Sequence, residues 1–384
     1  MADPLEMSAT TKMDIAIAGG SIAGLCAGAA LHAIGYDVHV FERSKNRLAS
    51  RGAGIVVQPK LLDLLADVKA PQLSTTGCTL RRTIDGASGA RQETHMPQRF
   101  TSWEAVYACL SSAFPSRRHH LGKSVENVAA DDSGVDFSIS GEAVRADILI
   151  AADGFRSSAR ARYAPGTVSR YAGYIAWRGV VDERALPADL VDFFDDAFSF
   201  CNVADGGHAL CYFIPGDNLG AQKGDRRLNW VWYVTIDEGA ALDRLMTDKR
   251  GEKRDASVPQ GVVSDAALED LKFRTVGLDS RFRDLVLATP KPFIQSIIDV
   301  APPAMVFGRV CLLGDAAFVV RPHTAAAAAK AAADASALAR ALRSTAPDID
   351  RGLSLWGRQQ SMMGRQLVDY GVMLGERSRG TGAR

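Results

Sequence analysis

The stretch Met13 to Glu42, MDIAIAGGSIAGLCAGAALHAIGYDVHVFE, limits what this chain can become more than any other. An apolar run, Ile15-Ala16-Ile17-Ala18, enters a glycine-rich turn, Gly19-Gly20-Ser21-Ile22-Ala23-Gly24. An Ala/Leu-rich helical segment follows and stops at Gly35, a residue suited to a helix C-cap. A second strand, Val38-His39-Val40-Phe41, ends on Glu42. Strand, turn, helix, strand and an acid about 20 residues past the turn make the fingerprint of a dinucleotide-binding βαβ unit. Small residues let backbone approach a pyrophosphate, and the helix N-terminus offers free N–H groups and the positive end of its dipole. Glu42 is placed to accept hydrogen bonds from a ribose. Ser21 stands where the middle glycine of G-x-G-x-x-G belongs. A tight βαβ turn without a ligand is the competing reading, and the surrounding strand, helix and acid weigh against it.

The rest of the composition narrows the class. A chain of 384 residues is long enough for two domains, or for one large domain with an insertion. Lys+Arg 45 against Asp+Glu 44 leaves no basic stripe for nucleic acid and no polybasic cluster for an anionic membrane. Cys26, Cys78, Cys109, Cys201, Cys211 and Cys311 are scattered without a C-x-x-C pair, which predicts buried free thiols in a reducing compartment. The opening MADPLEMSATTK has no secretory signal pattern, and no run approaches bilayer length, so a cytoplasmic protein is expected. No His/Cys/Asp cluster has metal-ligand spacing, so no metal is expected.

Along the chain, residues 1–12 read as a tail and Arg51–Pro59 as a glycine-containing bend running into extended chain. Helices are expected at Leu61–Asp67 and Ser102–Phe114. Residues 75–100 suit short, weakly patterned strands broken by Gly77, Gly86 and Gly89. Ser138–Ser140 and Ala146–Ala151 read as strands flanking Gly141. From Tyr171 the pattern turns β-branched and aromatic: Tyr171–Val181, Phe198–Val203, His208–Ile214 and Leu228–Ile236 predict an antiparallel sheet, with a hairpin signal at Asp205-Gly206-Gly207. Val310–Leu313 is a further buried strand; Thr324–Ser344 and Leu353–Gly375 are expected to be helical, and Ser378–Arg384 a tail.

Two more motifs carry acids at strand ends: Ile148-Leu-Ile-Ala-Ala-Asp153-Gly154-Phe-Arg-Ser157-Ser-Ala-Arg160, and Val310-Cys-Leu-Leu-Gly314-Asp315-Ala316-Ala317. Either acid alone could be a helix N-cap. In this order after the opening fingerprint, the set resembles the FAD-dependent aromatic hydroxylases of the para-hydroxybenzoate hydroxylase type, and the resemblance spans nearly the whole chain. It implies a Rossmann-like FAD-binding domain, with an inserted antiparallel β-sheet substrate domain and C-terminal helices. The expected FAD-binding unit is residues 1–74, 101–170 and 291–384; the expected substrate unit is 75–100 and 171–290. The implied cofactor-binding residues are Gly19, Gly20, Ser21, Ile22, Ala23, Glu42, Arg43, Gly54, Asp153, Gly154, Arg160, Gly314, Asp315, Ala325, Ala326 and Ala327. Tyr171-Ala-Gly-Tyr174-Ile-Ala-Trp177-Arg178-Gly179, the run from Gly207-His208 through Tyr212 to Ile214-Pro215-Gly216, and Arg321-Pro322-His323 resemble the hydroxypyridine branch of that family.

The resemblance implies that NADH or NADPH reduces FAD, and that O₂ then hydroxylates a small hydroxylated aromatic or N-heteroaromatic ring through a flavin hydroperoxide. The expected ring is a hydroxypyridine or dihydroxypyridine, and relatives are often homodimers. Electrophilic attack is faster on a deprotonated hydroxy-ring, so the protein must hold or generate that anion. His208 and Tyr212 share one face of a strand by their even spacing and are the candidate catalytic pair, His208 as base or hydrogen-bond partner. Tyr174, Arg178, Pro322 and His323 are candidate substrate-side residues. Arg178 also reads as a structural charge, His323 as a loop histidine, and His119-His120 as solvated members of a basic loop.

Two departures from the family pattern bear on the cofactor. Alanines 325–329 replace a glycine-rich turn, and Trp103 stands where many relatives carry Arg or Gln, which predicts fewer side-chain contacts to the flavin. Rival readings are a flavin-dependent reductase or epoxidase of an isoprenoid-type substrate, and a non-catalytic nucleotide-binding protein. Trp230-Val-Trp232 is similar to part of a flavin-halogenase signature, but Tyr233-Val-Thr does not complete it.

Overall fold

The computed structural model describes residues 13–46, 48, 54–203 and 207–378. The expected tail at 1–12, the first three residues of the bend at 51–59, the hairpin residues Asp205 and Gly206, and all of the expected tail Ser378–Arg384 except Ser378 lie outside them; Ser378 is helical rather than tail. The opening unit folds as β1 (Asp14–Ala18), α1 (Ile22–Ala33) and β2 (Asp37–Glu42). β1 is central in a six-stranded sheet, flanked by β2 and then His119–Leu121 on one side. On the other side lie Ile148–Ala151 and Val310–Leu312, all parallel, with Val306–Phe307 closing the edge antiparallel. Parallel strands put their carboxyl ends on one edge, so Gly19, Glu42, Asp153 and Gly314 arrive together from four separate segments.

Nearly every residue of α1 is buried, because it lies between this sheet and the helix Ala327–Thr345. Glycine and alanine on α1 meet the alanine run there, and small side chains allow the two helix axes to approach closely. That helix begins at Ala327 rather than Thr324: Pro322–Thr324 is a 3₁₀ turn and Ala325 takes a left-handed conformation, φ +51°.

The second sheet has nine strands, in the order Ser257–Val258, Phe293–Asp299, Arg170–Asp182, Arg226–Thr235, His208–Pro215, Ala197–Asn202, Thr76–Asp85, Arg91–Ser102 and Gly54–Val56. Residues 75–100 are therefore long hairpin strands rather than short ones; Gly86 and Gly89 sit at their turn. One neighbouring pair, Ala197–Asn202 with Thr76–Asp85, is parallel, a correction to a purely antiparallel sheet. Gly54–Val56 and Phe293–Asp299 join the same sheet from outside the segments 75–100 and 171–290. One face packs Trp177, Trp230 and Trp232 into a second core with the helices Ala188–Phe194, Asp265–Arg274 and Ser280–Leu287. The alternate residues face the other way.

A three-stranded meander, Val125–Ala130, Val135–Ile139 and Glu142–Ala146, precedes Ile148–Ala151. Ser140 and Gly141 both take positive φ and form its tight turn, so Ser140 is not strand. His119-His120 is not a solvated loop either. It forms an edge strand beside β2, with His120 stacked on Phe41 at 4.9 Å and bonded to His39. The chain closes with a 30-residue helix, Ile349–Ser378. Among the described residues no helix is long and apolar enough to cross a membrane.

Candidate active site

A cavity of about 2550 Å³ lies between the carboxyl edge of the parallel sheet and the face of the nine-stranded sheet that turns away from the tryptophan core. At the first wall stand Gly19, Ser21, Ile22, Ala23, Glu42, Arg43, Asp153, Gly154, Gly314 and Asp315. Ser21, the N-cap of α1, makes no side-chain capping bond, which leaves the first N–H groups of α1 turned to the cavity. Gly20 sits just behind this surface and donates its N–H to Glu42 Oε2 at 2.9 Å. A Cβ on Gly20 would lie 2.8 Å from Glu42 Cβ, and one on Gly314 2.5 Å from Ala23 Cβ. The turn, the ribose acid and the Gly314 loop are thus packed too tightly for side chains, as a pyrophosphate cradle requires. Asp153 Oδ2 caps Ser158 N–H at 2.9 Å, while its buried Oδ1 has no hydrogen-bond partner. These residues fit the dinucleotide implied by the sequence.

Arg160 does not reach the cavity wall. Its guanidinium donates to the carbonyls of Phe155, Asp315 and Ala316 and so clamps the two strand-end acid motifs together. Asp315 itself is open to the cavity. Its crowded surroundings push the carboxyl's pKa up, opposed by the charges of Lys330 and Arg160. Ala325, Ala326 and Ala327 also line the cavity, and Gln58 Nε2 donates to the Ala325 carbonyl at 2.7 Å, holding the left-handed turn. Trp103 lines it too, stacked on Tyr107 at 5.0 Å, and so offers an apolar edge where the family pattern has a polar side chain. Gly54, at the junction of the two walls, donates its N–H to Asn229 and abuts the Tyr212 ring, which a Cβ would meet at 2.6 Å.

The far end of the cavity is aromatic. His208, Tyr212, Tyr233, Arg178, Pro322 and His323 all line it, with Phe198, Phe200, Leu210 and Val231. The His323 ring lies 4.2 Å from Tyr233 and 5.6 Å from His208, and His208 lies 5.1 Å from Tyr233. Tyr174 is buried behind this surface and bonds His323 Nε2 through its hydroxyl at 2.9 Å. Burial drives the His208 pKa down to about 4, assisted by the charge of Arg81, so the imidazole is neutral at pH 7. The same burial raises Tyr212 to about 12 and Tyr233 further, against the pull of Arg178. Both phenols therefore keep their protons and can donate them. Arg178 Nη1 donates to Gln295 Oε1 at 2.8 Å, its buried Nε has no partner, and among the described residues no carboxylate pairs with it.

Tyr233, Arg81, Phe198, Phe200 and Ser378 escaped the sequence reading. Three of them carried a signal in strand alternation: Tyr233 points away from Trp230 and Trp232 by its odd spacing, and Phe198 and Phe200 point away from Ala197 and Ser199. Which face held a cavity was not readable from the alternation itself.

With this geometry in view, comparison with known proteins gives consistent neighbours. A family described as FAD binding domain-like matches residues 171–299. The 2,6-dihydroxypyridine 3-monooxygenase of Paenarthrobacter nicotinovorans is 36% identical over 367 residues, which cover 94% of this chain and 90% of that protein. The 6-hydroxynicotinate 3-monooxygenase of Bordetella bronchiseptica is 25% identical over 87% of this chain and 84% of its own length. Among solved structures, 2,6-dihydroxypyridine-3-hydroxylase from Arthrobacter nicotinovorans superposes with a TM-score of 0.91 at 35% identity, covering 97% of this chain and 94% of that one. Klebsiella pneumoniae HpxO complexed with FAD and uric acid gives 0.76 at 25% identity, covering 96% and 89%.

Proposed function

The chain belongs to the FAD-dependent aromatic hydroxylases of the para-hydroxybenzoate hydroxylase type, and on that premise we propose that its ring substrate is a deprotonated hydroxypyridine. It is an FAD-dependent aromatic monooxygenase that uses NAD(P)H and O₂. Arg178 carries the substrate reading. A half-buried guanidinium with an unpartnered Nε and no described carboxylate beside it is costly to hold at low dielectric. An anionic ring in the cavity offsets that cost. The named substrates of the two relatives, 2,6-dihydroxypyridine and 6-hydroxynicotinate, support a hydroxylated pyridine.

FAD, once bound and reduced by NAD(P)H, would supply the two electrons that activate O₂, so that one of its oxygen atoms passes to the ring and the other leaves as water. Everything else falls to the chain. Arg178 neutralises the ring oxyanion, and Tyr212 and Tyr233 donate O–H groups to ring heteroatoms. Neutral His208 serves as a hydrogen-bond partner of the ring oxyanion, since burial lowers its pKa to about 4 and keeps it uncharged at neutral pH. Tyr174 orients His323 through their shared hydrogen bond, and Pro322 fixes the turn that presents it. Phe198, Leu210 and Val231 supply apolar surface for the ring faces and exclude water. Gly19 to Ala23, Glu42, Arg43, Asp153, Gly154, Asp315 and Ala325 to Ala327 hold the cofactor, and Arg160 and Gly314 hold those groups in place. We assign the cofactor to the unit built from 1–74, 101–170 and 291–384, and the ring to the sheet of 75–100 and 171–290. The six buried, unpaired thiols support a reducing compartment.

The test is NAD(P)H oxidation by FAD-loaded protein against 2,6-dihydroxypyridine, other hydroxypyridines, 4-hydroxybenzoate and salicylate, with hydrogen peroxide and ring products measured together. Strong stimulation by a hydroxypyridine with little peroxide is expected. Stimulation by the benzoates alone would overturn the pyridine assignment.

A further inference from the structure

The last residue of the closing helix reaches into the ring end of the cavity. Ser378 lines that cavity, as do Leu374 and Arg377, and ends Ile349–Ser378, a helix whose C-terminal turn alone meets the substrate-side sheet. A row of glycines lets the helix lie close to the segment after Gly314. A Cβ on Gly364 would come within 2.4 Å of the Phe318 ring, and one on Gly375 within 2.6 Å of both the Tyr174 hydroxyl and Arg321 Nη1. Arg321 is in turn fixed by a bidentate pair with Asp299 at 2.6–3.1 Å. The helix end therefore has little freedom. Its Ser378 carbonyl accepts the Gly207 N–H at 3.2 Å, and the Ser378 hydroxyl meets His208 Nδ1 at 2.8 Å.

Among the described residues the Ser378 hydroxyl has no other acceptor, and His208 Nε2 has no partner. If Nδ1 carried the imidazole proton, the hydroxyl hydrogen would have no acceptor among the described residues. If the hydroxyl donates to Nδ1, its hydrogen is used and the imidazole proton resides on Nε2, where it is left for a group in the cavity to accept. We propose that Ser378 is a positioning residue that fixes His208 in the Nε2–H tautomer, so that His208 presents a hydrogen-bond donor to the ring oxyanion of the substrate. This rests on the reading that the cavity takes an anionic hydroxy-ring. It makes the helix terminus part of substrate recognition, reached through a side chain about 170 residues away in sequence.

The experiment compares wild type, S378A, S378T, H208A and the double variant S378A/H208A, each loaded with FAD, on the hydroxypyridine that wild type turns over. S378A is expected to raise KM about tenfold, with kcat within twofold and flavin content unchanged, because only the hydroxyl is removed and the backbone tether stays. S378T is expected to restore KM. In the double variant the S378A effect is expected to vanish, since there is no imidazole left to orient. Equal KM for S378A and wild type, failure of S378T to rescue, or independent multiplication of the two effects would overturn the proposal. The tautomer is read separately, without substrate, from ¹⁵N shifts of histidine-labelled protein, with H208A identifying the resonance. Wild type at pH 7 should show a protonated Nε2 and an acceptor Nδ1, and S378A a mixture. A protonated Nδ1 in wild type refutes the inference whatever ring is oxidised, whereas the absence of any hydroxypyridine turnover refutes only the substrate reading.

Discussion

Gly19→Ala is the sharpest perturbation of the cofactor wall. Gly19 has φ +105°, donates its N–H to the Phe41 carbonyl at 2.8 Å, and abuts the strand end that carries Asp153. A Cβ there would stand 2.3 Å from the Ala152 carbonyl oxygen, 2.7 Å from its carbon and 3.0 Å from Asp153 N. All three are backbone atoms, so no side chain can swing away. Holding an L-residue at such a φ costs roughly 1–2 kcal/mol. Forcing packed backbone apart costs roughly another 1–3 kcal/mol. The lost flexibility of the unfolded chain returns about 0.4–1 kcal/mol. The net loss is about 1–5 kcal/mol, within the typical stability of about 5–15 kcal/mol, so the variant folds. Gly154→Ala is the control: φ there is +82°, but nothing lies within 4 Å of the new Cβ, so only the conformational part applies. Urea unfolding and FAD titration by flavin absorbance measure both variants. G19A should lower the unfolding midpoint clearly more than G154A and weaken FAD at least tenfold, because the turn and Asp153 are pushed apart. A G19A protein with wild-type midpoint and FAD affinity would refute the close-packed cradle.

Three further outcomes follow from the same geometry. Ala325→Gly should hold or raise stability by up to about 1 kcal/mol, since relief of a left-handed alanine outweighs glycine's added freedom, and a loss above that in urea unfolding would contradict it. Arg178→Gln should raise the hydroxypyridine KM at least tenfold while leaving FAD content unchanged; an unaltered KM would remove the charge pairing from the argument. For His208, burial holds the folded pKa near 4, below its ordinary value of 6.5, so protonation favours the unfolded chain. Its contribution to stability is whole above pH 6.5 and is lost as pH falls from there towards 4, by about 3 kcal/mol at 1.4 kcal/mol per unit. His208→Gln should flatten that part of the stability–pH curve, and an unchanged slope would show that the imidazole is not desolvated.

The sequence was most informative where the chemistry is local. Gly19 to Glu42, Asp153-Gly154 and Gly314-Asp315 could be read because a buried strand, a small-residue turn and a strand-end acid are contiguous features. Parallel pairing then brings them to one edge by a general rule. Ser102 as a helix start and the six thiols as buried groups were legible for the same reason. The long hairpin of 76–102 was not, because Arg91 to Gln98 is a largely exposed strand without apolar alternation. His119-His120 looked solvated until β2 supplied a neighbouring strand and Phe41 a stacking partner.

From its sequence alone, then, the chain determined a nucleotide-binding βαβ unit, two further acid-bearing strand ends and an aromatic sheet. Turn chemistry and side-chain periodicity are written in consecutive residues. Tertiary structure alone decided which sheet face lines the cavity, that Arg178 is left without a described carboxylate, and that His323 and Ser378 meet His208. Those contacts join segments more than a hundred residues apart. Strand register, the glycine row of the closing helix and the packing of two walls set them, and no local pattern encodes such distances.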